Sequence, residues 1–125
     1  MSGKAEILIL DDEPIVGDRL KPALEKCGYS VETFTDSQAA IDRLSKKRYD
    51  VLITDLKMAG PSGLDVLHFV KEHTPSTRVI VITGYATAEQ AKESIKSGAV
   101  DFIAKPFRIS HLRELVARCL ETPGT

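Results

Sequence analysis

Ile7-Leu8-Ile9-Leu10-Asp11-Asp12-Glu13-Pro14 decides the fold: four consecutive apolar residues run directly into three carboxylates and a proline. A continuous apolar run of that length reads as a strand buried on both faces, as in a parallel sheet, whereas a strand with one wet face would alternate. Pro14, lacking an N–H and with φ preset, suits the first turn of a helix that follows. Outward from this stretch, Val51-Leu52-Ile53, Val79-Ile80-Val81-Ile82 and Phe102-Ile103-Ala104 are runs of the same kind, and residues 31–34 form a weaker, alternating one. Between the runs, helical apolar spacing predicts helices over residues 15–27, 37–46, 64–73, 87–97 and 109–120. Ser37 suits an N-cap, and Gly28 and Gly98 suit helix ends.

Strand and helix thus alternate along the whole chain, which argues for right-handed crossovers and an α/β class: a single doubly wound domain, a parallel sheet with helices on both faces. The 125 residues suffice for one core but not for a second module, so the expected domain is 1–125, with a folded core over about 5–120 and a tail or linker start over 121–125. Seventeen basic against 18 acidic residues leave a formal charge of -1, and no global field recruits nucleic acid or an anionic membrane. No apolar run approaches the ~20 residues of a span and nothing as long as the apolar core of a signal peptide follows Lys4, so the cytoplasm is the expected compartment.

Cys27 and Cys119 lie too far apart for a redox pair or metal cluster and are expected as buried or half-buried thiols. His68, His73 and His111 lie on separate helices or their ends with no i,i+4 pair, which speaks against metal binding. Lys46-Lys47-Arg48 reads as a solvated helix end rather than a nucleic-acid patch.

In open α/β sheets ligands bind at the carboxyl ends of the strands. There the chain places Asp11, Asp12 and Glu13, then Thr54-Asp55, then Thr83-Gly84, then Lys105-Pro106. Asp11, Asp12 and Asp55 crowded together would repel one another unless a cation offsets them, and a few hard oxygen ligands suit Mg2+. Taken singly, each residue has a plainer reading: acids beside helix N-termini, a solvated lysine, a strand threonine. Asp55 beside the Asp11-Asp12 pair tips the balance. A nucleophilic carboxylate, a metal clamp, the Thr83 hydroxyl and the Lys105 ammonium are what phosphoryl transfer to a carboxylate requires. A carboxyl phosphate is a labile mixed anhydride, suited to a reversible mark and hence to a switch.

The stretches ILILDDEP, VLITDLKM, VIVITGYA and GAVDFIAKPF, in this order, resemble the receiver domains of two-component response regulators over nearly the whole chain. The resemblance implies a five-stranded sheet of order 2-1-3-4-5 and a domain that promotes its own phosphorylation and dephosphorylation rather than an enzyme. It implies that Asp55 accepts a phosphoryl group from a phosphohistidine, that Asp12 and Asp55 ligate Mg2+ directly and Asp11 through water, and that the Lys57 backbone carbonyl is a further ligand. Thr83, Gly84 and Lys105 would bind phosphoryl oxygens, Phe102 would rotate inward as Thr83 is drawn to the phosphate, and the Lys105–Pro106 bond would be cis. Lys57 and Tyr85 would flank the path of attacking water and set the lifetime of the mark.

The partners implied are a sensor histidine kinase or phosphotransfer protein and an output domain or effector protein. The fourth helix, fifth strand and fifth helix, residues 86–119, would form the responding surface, with phosphorylation-dependent homodimerisation or docking. The stretch over residues 84–107 most resembles receivers of sigma-54-type transcriptional activators. No output domain fits after Leu120, so the expectation is a free-standing regulator or a domain cut at a linker.

One departure stands out: the family usually places proline directly after the methionine of the loop following the phosphoacceptor, but Met58 is followed by Ala59-Gly60-Pro61-Ser62-Gly63, which predicts a less constrained loop. Three rivals fit less well. A haloacid-dehalogenase-type phosphatase needs Asp-x-Asp where this chain has Asp11-Asp12-Glu13, and leaves Asp55 without a role. A flavin carrier would need neutral donors in the first loop. A receiver-like module without phosphorylation is argued against by the intact site.

Overall fold

Five buried runs and five amphipathic segments alternate in the computed structural model, which describes residues 4–58, 60–84 and 87–121. Expectations for Ala59, Tyr85, Ala86 and residues 122–125 lie outside these. The elements are β1 (Glu6–Leu10), α1 (Pro14–Glu25), β2 (Ser30–Phe34), α2 (Ser37–Leu44), β3 (Val51–Asp55), α3 (Gly63–His73), β4 (Arg78–Thr83), α4 (Ala88–Lys96), β5 (Asp101–Ala104) and α5 (Ile109–Glu121). The strands form one parallel sheet in the order β2-β1-β3-β4-β5, as the resemblance implies.

The continuously apolar runs take the central positions. β1, β3 and β4 are buried almost throughout, whereas the edge strands β2 and β5 keep exposed or half-buried residues. Alternate residues of each strand face opposite layers. On one face Ile7, Ile9, Ile53 and Ile80 meet Leu20 and Leu24 of α1 and Leu112 and Val116 of α5. On the other, Leu8, Leu10, Leu52 and Val81 meet Ala40 and Leu44 of α2 and Val66, Leu67 and Val70 of α3. Register then sets the functional edge: Leu10 pairs with Thr54, Asp55 with Ile82, and Thr83 with Ala104, so the strand ends stop side by side.

The helices are not equally anchored. α1, α2, α3 and α5 each bury several residues, but α4 buries only Ser94, and its Ile95 is 48% exposed.

Several local expectations change. Asp36, not Ser37, caps α2: its backbone is extended and its carboxylate accepts from the Ala39 N–H at 2.9 Å, while Ser37 is the first helical residue and is buried. Cys27 is exposed because α1 ends at Glu25 and the thiol lies in the turn leading to Gly28, whose φ is +93°; only Cys119 is buried. His68 and His73 share α3, and Glu121 closes α5 rather than opening the tail. Lys47 is no freely solvated helix end. Its ammonium pairs with Glu6 and, at 3.6 Å, with Glu32, because the strand order brings the starts of β1 and β2 beside it.

Candidate phosphoacceptor site

Each functional side chain stands where a strand stops. Asp11 and Asp12 follow β1, and the Asp11 N–H still donates to the Phe34 carbonyl (3.1 Å), extending the ladder by one rung. Asp11 is buried and its Oδ1 accepts from the Glu13 N–H at 2.9 Å; Asp12 beside it is exposed. Asp55, at the end of β3, is 6% exposed and its Oδ1 accepts from the Lys57 N–H at 3.3 Å. One carboxylate oxygen from each of Asp11, Asp12 and Asp55 lies within 4.8 Å of the others.

Lys105 closes the site from β5. Its N–H donates to the Thr83 carbonyl at 2.8 Å, and its peptide bond to Pro106 is cis. Its ammonium stands 2.7 Å from Asp11 Oδ2, 2.9 Å from Glu13 Oε1 and 3.0 Å from Asp55 Oδ2. Thr83 is fully buried at the end of β4, and Gly84 joins Asp12, Glu13, Asp55, Lys57 and Lys105 in lining an open pocket. Phe102 is half-buried against the α2–α3 core layer.

The loop after β3 is set by a glycine that sequence reasoning passed over. The Gly63 N–H donates to the Leu56 carbonyl at 2.8 Å, and a Cβ at Gly63 would fall 2.0 Å from the Asp55 carbonyl oxygen. Only a residue without a side chain lets α3 start directly against the strand end that carries Asp55. A capping box fixes the same turn: Ser62 Oγ accepts from the Asp65 N–H at 3.2 Å, and Asp65 Oδ2 from the Ser62 N–H at 2.9 Å. The far half of the loop is therefore anchored despite the shifted proline.

Charge is unbalanced. Burial pushes the Asp11 carboxyl up, more than the Lys105 ammonium and the Glu13 N–H pull it down. Burial would lower the Lys105 pKa, but its close pairing with Asp11, Glu13 and Asp55 holds it well above that of an ordinary lysine. The Lys105 ammonium faces three carboxylates, with Asp12 close by, and buried Asp11 Oδ2 has this ion pair but no well-directed hydrogen bond. Such a set of hard oxygen donors fits a small divalent cation. Glu13 is the second residue that sequence reasoning left without a role; its position next to Asp12 was the available signal.

Comparison with known proteins agrees with this geometry. The response regulator receiver domain family matches residues 7–117. The chain is similar to the nitrogen assimilation regulatory protein NtrX of Azorhizobium caulinodans, 36% identical over 119 residues, covering 94% of this chain and 26% of that protein. It is similar to the response regulator protein PilR of Pseudomonas aeruginosa, 32% identical over 117 residues, with the same 94% and 26% coverage. The chain thus spans about a quarter of the length of these relatives. Among solved structures, the beryllofluoride-activated NtrC4 receiver domain dimer superposes with a TM-score of 0.88 at 30% identity, covering 93% of this chain and 96% of that one. With the strand order, the acidic edge and the lysine after β5 all in place, the chain belongs to the response regulator receiver domain family of two-component systems.

Proposed function

We propose that Asp55 is the phosphoacceptor: a carboxylate oxygen attacks the phosphorus of a kinase's or phosphotransfer protein's phosphohistidine, the P–N bond breaks, and the imidazole leaves with its electron pair. The observation that carries this reading is the Lys105 ammonium 3.0 Å from Asp55 Oδ2, at a strand end shared with Asp11 and Asp12. Asp55 is the nucleophile because it is a nearly buried carboxylate lining the pocket, with one oxygen oriented by the Lys57 N–H. Lys105 offers positive charge to the transferred oxygens, and Thr83 and Gly84 offer the hydroxyl and amide N–H from β4. Asp12 and Asp55 directly, Asp11 through water, and the Lys57 carbonyl would hold Mg2+, which when bound supplies positive charge against the incoming phosphoryl oxygens. Hydrolysis by water returns Asp55 to its free state; Lys57, which lines the same pocket, and Tyr85, by the family resemblance, set the lifetime of the mark.

An apolar groove containing Ile15, Leu20, Pro106 and Phe107 also reaches Lys105, which supports docking of the phosphodonor protein next to Asp55. The responding surface is α4, β5 and α5, where Ile95 and Val100 are exposed and Phe102 follows Thr83. The dimeric state of the beryllofluoride-activated NtrC4 receiver supports activation-dependent association, for which the exposed Ile95 and Val100 offer this face, and the greater length of NtrX and PilR supports an output domain as a partner. Shifting a two-state domain from about 1:99 to 99:1 takes roughly 5.5 kcal/mol. Two charge-assisted bonds, each contributing about 1.5–3 kcal/mol, are of that size. Among the described residues no helix is long and apolar enough to cross a membrane.

The test is intact mass after incubation with Mg2+ and acetyl phosphate. A labile gain of one phosphoryl group, absent from Asp55→Asn and from metal-free protein, is expected. An equal gain in Asp55→Asn would sink the assignment.

A further inference from the structure

An ammonium carries three N–H donors, and around Lys105 three carboxylates already stand within ion-pair distance. The ammonium donates to Glu13 at 2.9 Å and to Asp55 at 3.0 Å and is crowded by Asp11 at 2.7 Å, so a phosphoryl oxygen arriving on Asp55 meets an ammonium already surrounded by anions, and one partner must give way. The three are not held alike: the Asp11 and Asp55 side chains are 1% and 8% exposed, whereas that of Glu13 is 63% exposed. Water can take over a solvated carboxylate at little cost, while a buried one left unpaired is penalised. Glu13 also occupies the N-cap of α1 with an extended backbone, yet its carboxylate caps nothing; it turns to Lys105 Nζ at 2.9 Å instead.

We propose that Glu13 is a positioning residue that acts as a placeholder. In the unmodified domain its carboxylate occupies, on the Lys105 ammonium, the place that an oxygen of the Asp55 phosphoryl group takes after transfer. The inference rests on Asp55 being the phosphoacceptor. It makes phosphorylation an exchange of one anion for another on Lys105, with Glu13 released to solvent, and makes the ease of that exchange depend on the residue next to Asp12.

Removing the placeholder leaves a donor of Lys105 free. With Mg2+ present, Glu13→Ala is expected to bind beryllofluoride about two- to five-fold more tightly than wild type, the range an exposed ion pair commands. Fluorine NMR titration reads the affinity, and mass spectrometry after acetyl phosphate reads the matching rise in phosphoryl uptake. The decisive arm repeats the substitution in a Lys105→Ala background, where the gain should vanish, because a merely repulsive Glu13 would act without Lys105. An equal gain in both backgrounds, or none in the wild-type background, overturns the proposal. Melting curves check that each variant folds, with Lys105→Gln replacing Lys105→Ala if the latter does not. Wild-type protein that takes neither beryllofluoride nor phosphoryl would overturn the phosphoacceptor reading and this inference with it. Wild type that takes both while Glu13→Ala matches it overturns this inference alone.

Discussion

The same sheet carries a charged cluster at each end, and the two are built on opposite terms. At the amino end, Glu32 is matched by Arg43 at 3.1 Å and Lys47 at 3.6 Å, Lys47 also pairs with Glu6, and Arg48 pairs with Asp50 at 3.0 Å. Buried Tyr49 completes that cluster, its hydroxyl donating to Glu32 and accepting from Arg43 Nε at 3.0 Å. At the carboxyl end the carboxylates of Asp11, Glu13 and Asp55 share the Lys105 ammonium, with that of Asp12 close by. The first cluster satisfies itself; the second is left short of positive charge, so its stability depends on what binds. A fold can keep such an imbalance when its other regions are consistent, and the conflict then marks the functional end.

The largest expected difference between the ends is the response to Mg2+. A cation at about a hundredfold excess over its Kd stabilises a fold by about 2.7 kcal/mol. Thermal melts should show a gain of that order for wild type and for Tyr49→Phe, and little for Asp12→Ala; an undiminished gain in Asp12→Ala would place the cation elsewhere. Gly63→Ala comes next. Its Cβ would press into the Asp55 carbonyl, and urea denaturation should show a loss of about 1–3 kcal/mol together with slower phosphoryl uptake. Tyr49→Phe breaks the opposite cluster. It should cost about 1–2 kcal/mol in the same measurement while uptake at Asp55 stays as in wild type.

The smallest effect is a difference in pH slope. Hydrogen bonding from Arg43 and, against the cost of burial, from Tyr49 lowers the Glu32 pKa to about 2. Its stabilisation is present above the unfolded value of about 4.3 and is lost as pH falls toward about 2. Asp11 has the opposite sign: its pKa is raised, so its ionised form weighs against the fold at neutral pH and protonation relieves it on the way down. Without metal, urea midpoints between about pH 5 and 2.5 should fall less steeply for Glu32→Gln than for wild type and more steeply for Asp11→Asn. Parallel curves would show that the two ends do not differ in this way.

What the sequence reveals follows from what each feature depends on. Strand runs, helix spacing and the identity of the residues after each run are local, and so the layered fold and the meeting of Asp11, Asp12, Asp55 and Lys105 at one edge were legible. Features set by close approach between distant segments were not. Gly63 reads as an ordinary loop glycine until α3 is seen against the backbone of Asp55. Lys47 reads as a solvated end until β1 and β2 are laid beside it. The choice of Asp36 over Ser37 as cap depends on which of two adjacent residues takes the extended backbone, a distinction finer than spacing can make.

α4 gives the fold a weak seam. With Ser94 as its sole buried residue, and a hydroxyl there that meets no partner, this helix has almost no apolar contact to lose when it lifts from the sheet. Backbone amides over Ala88–Lys96 should therefore trade their hydrogens for deuterium well before those of α3 or α5. The element that follows the Thr83 end of the sheet is then also the described helix with the fewest buried residues to hold it down.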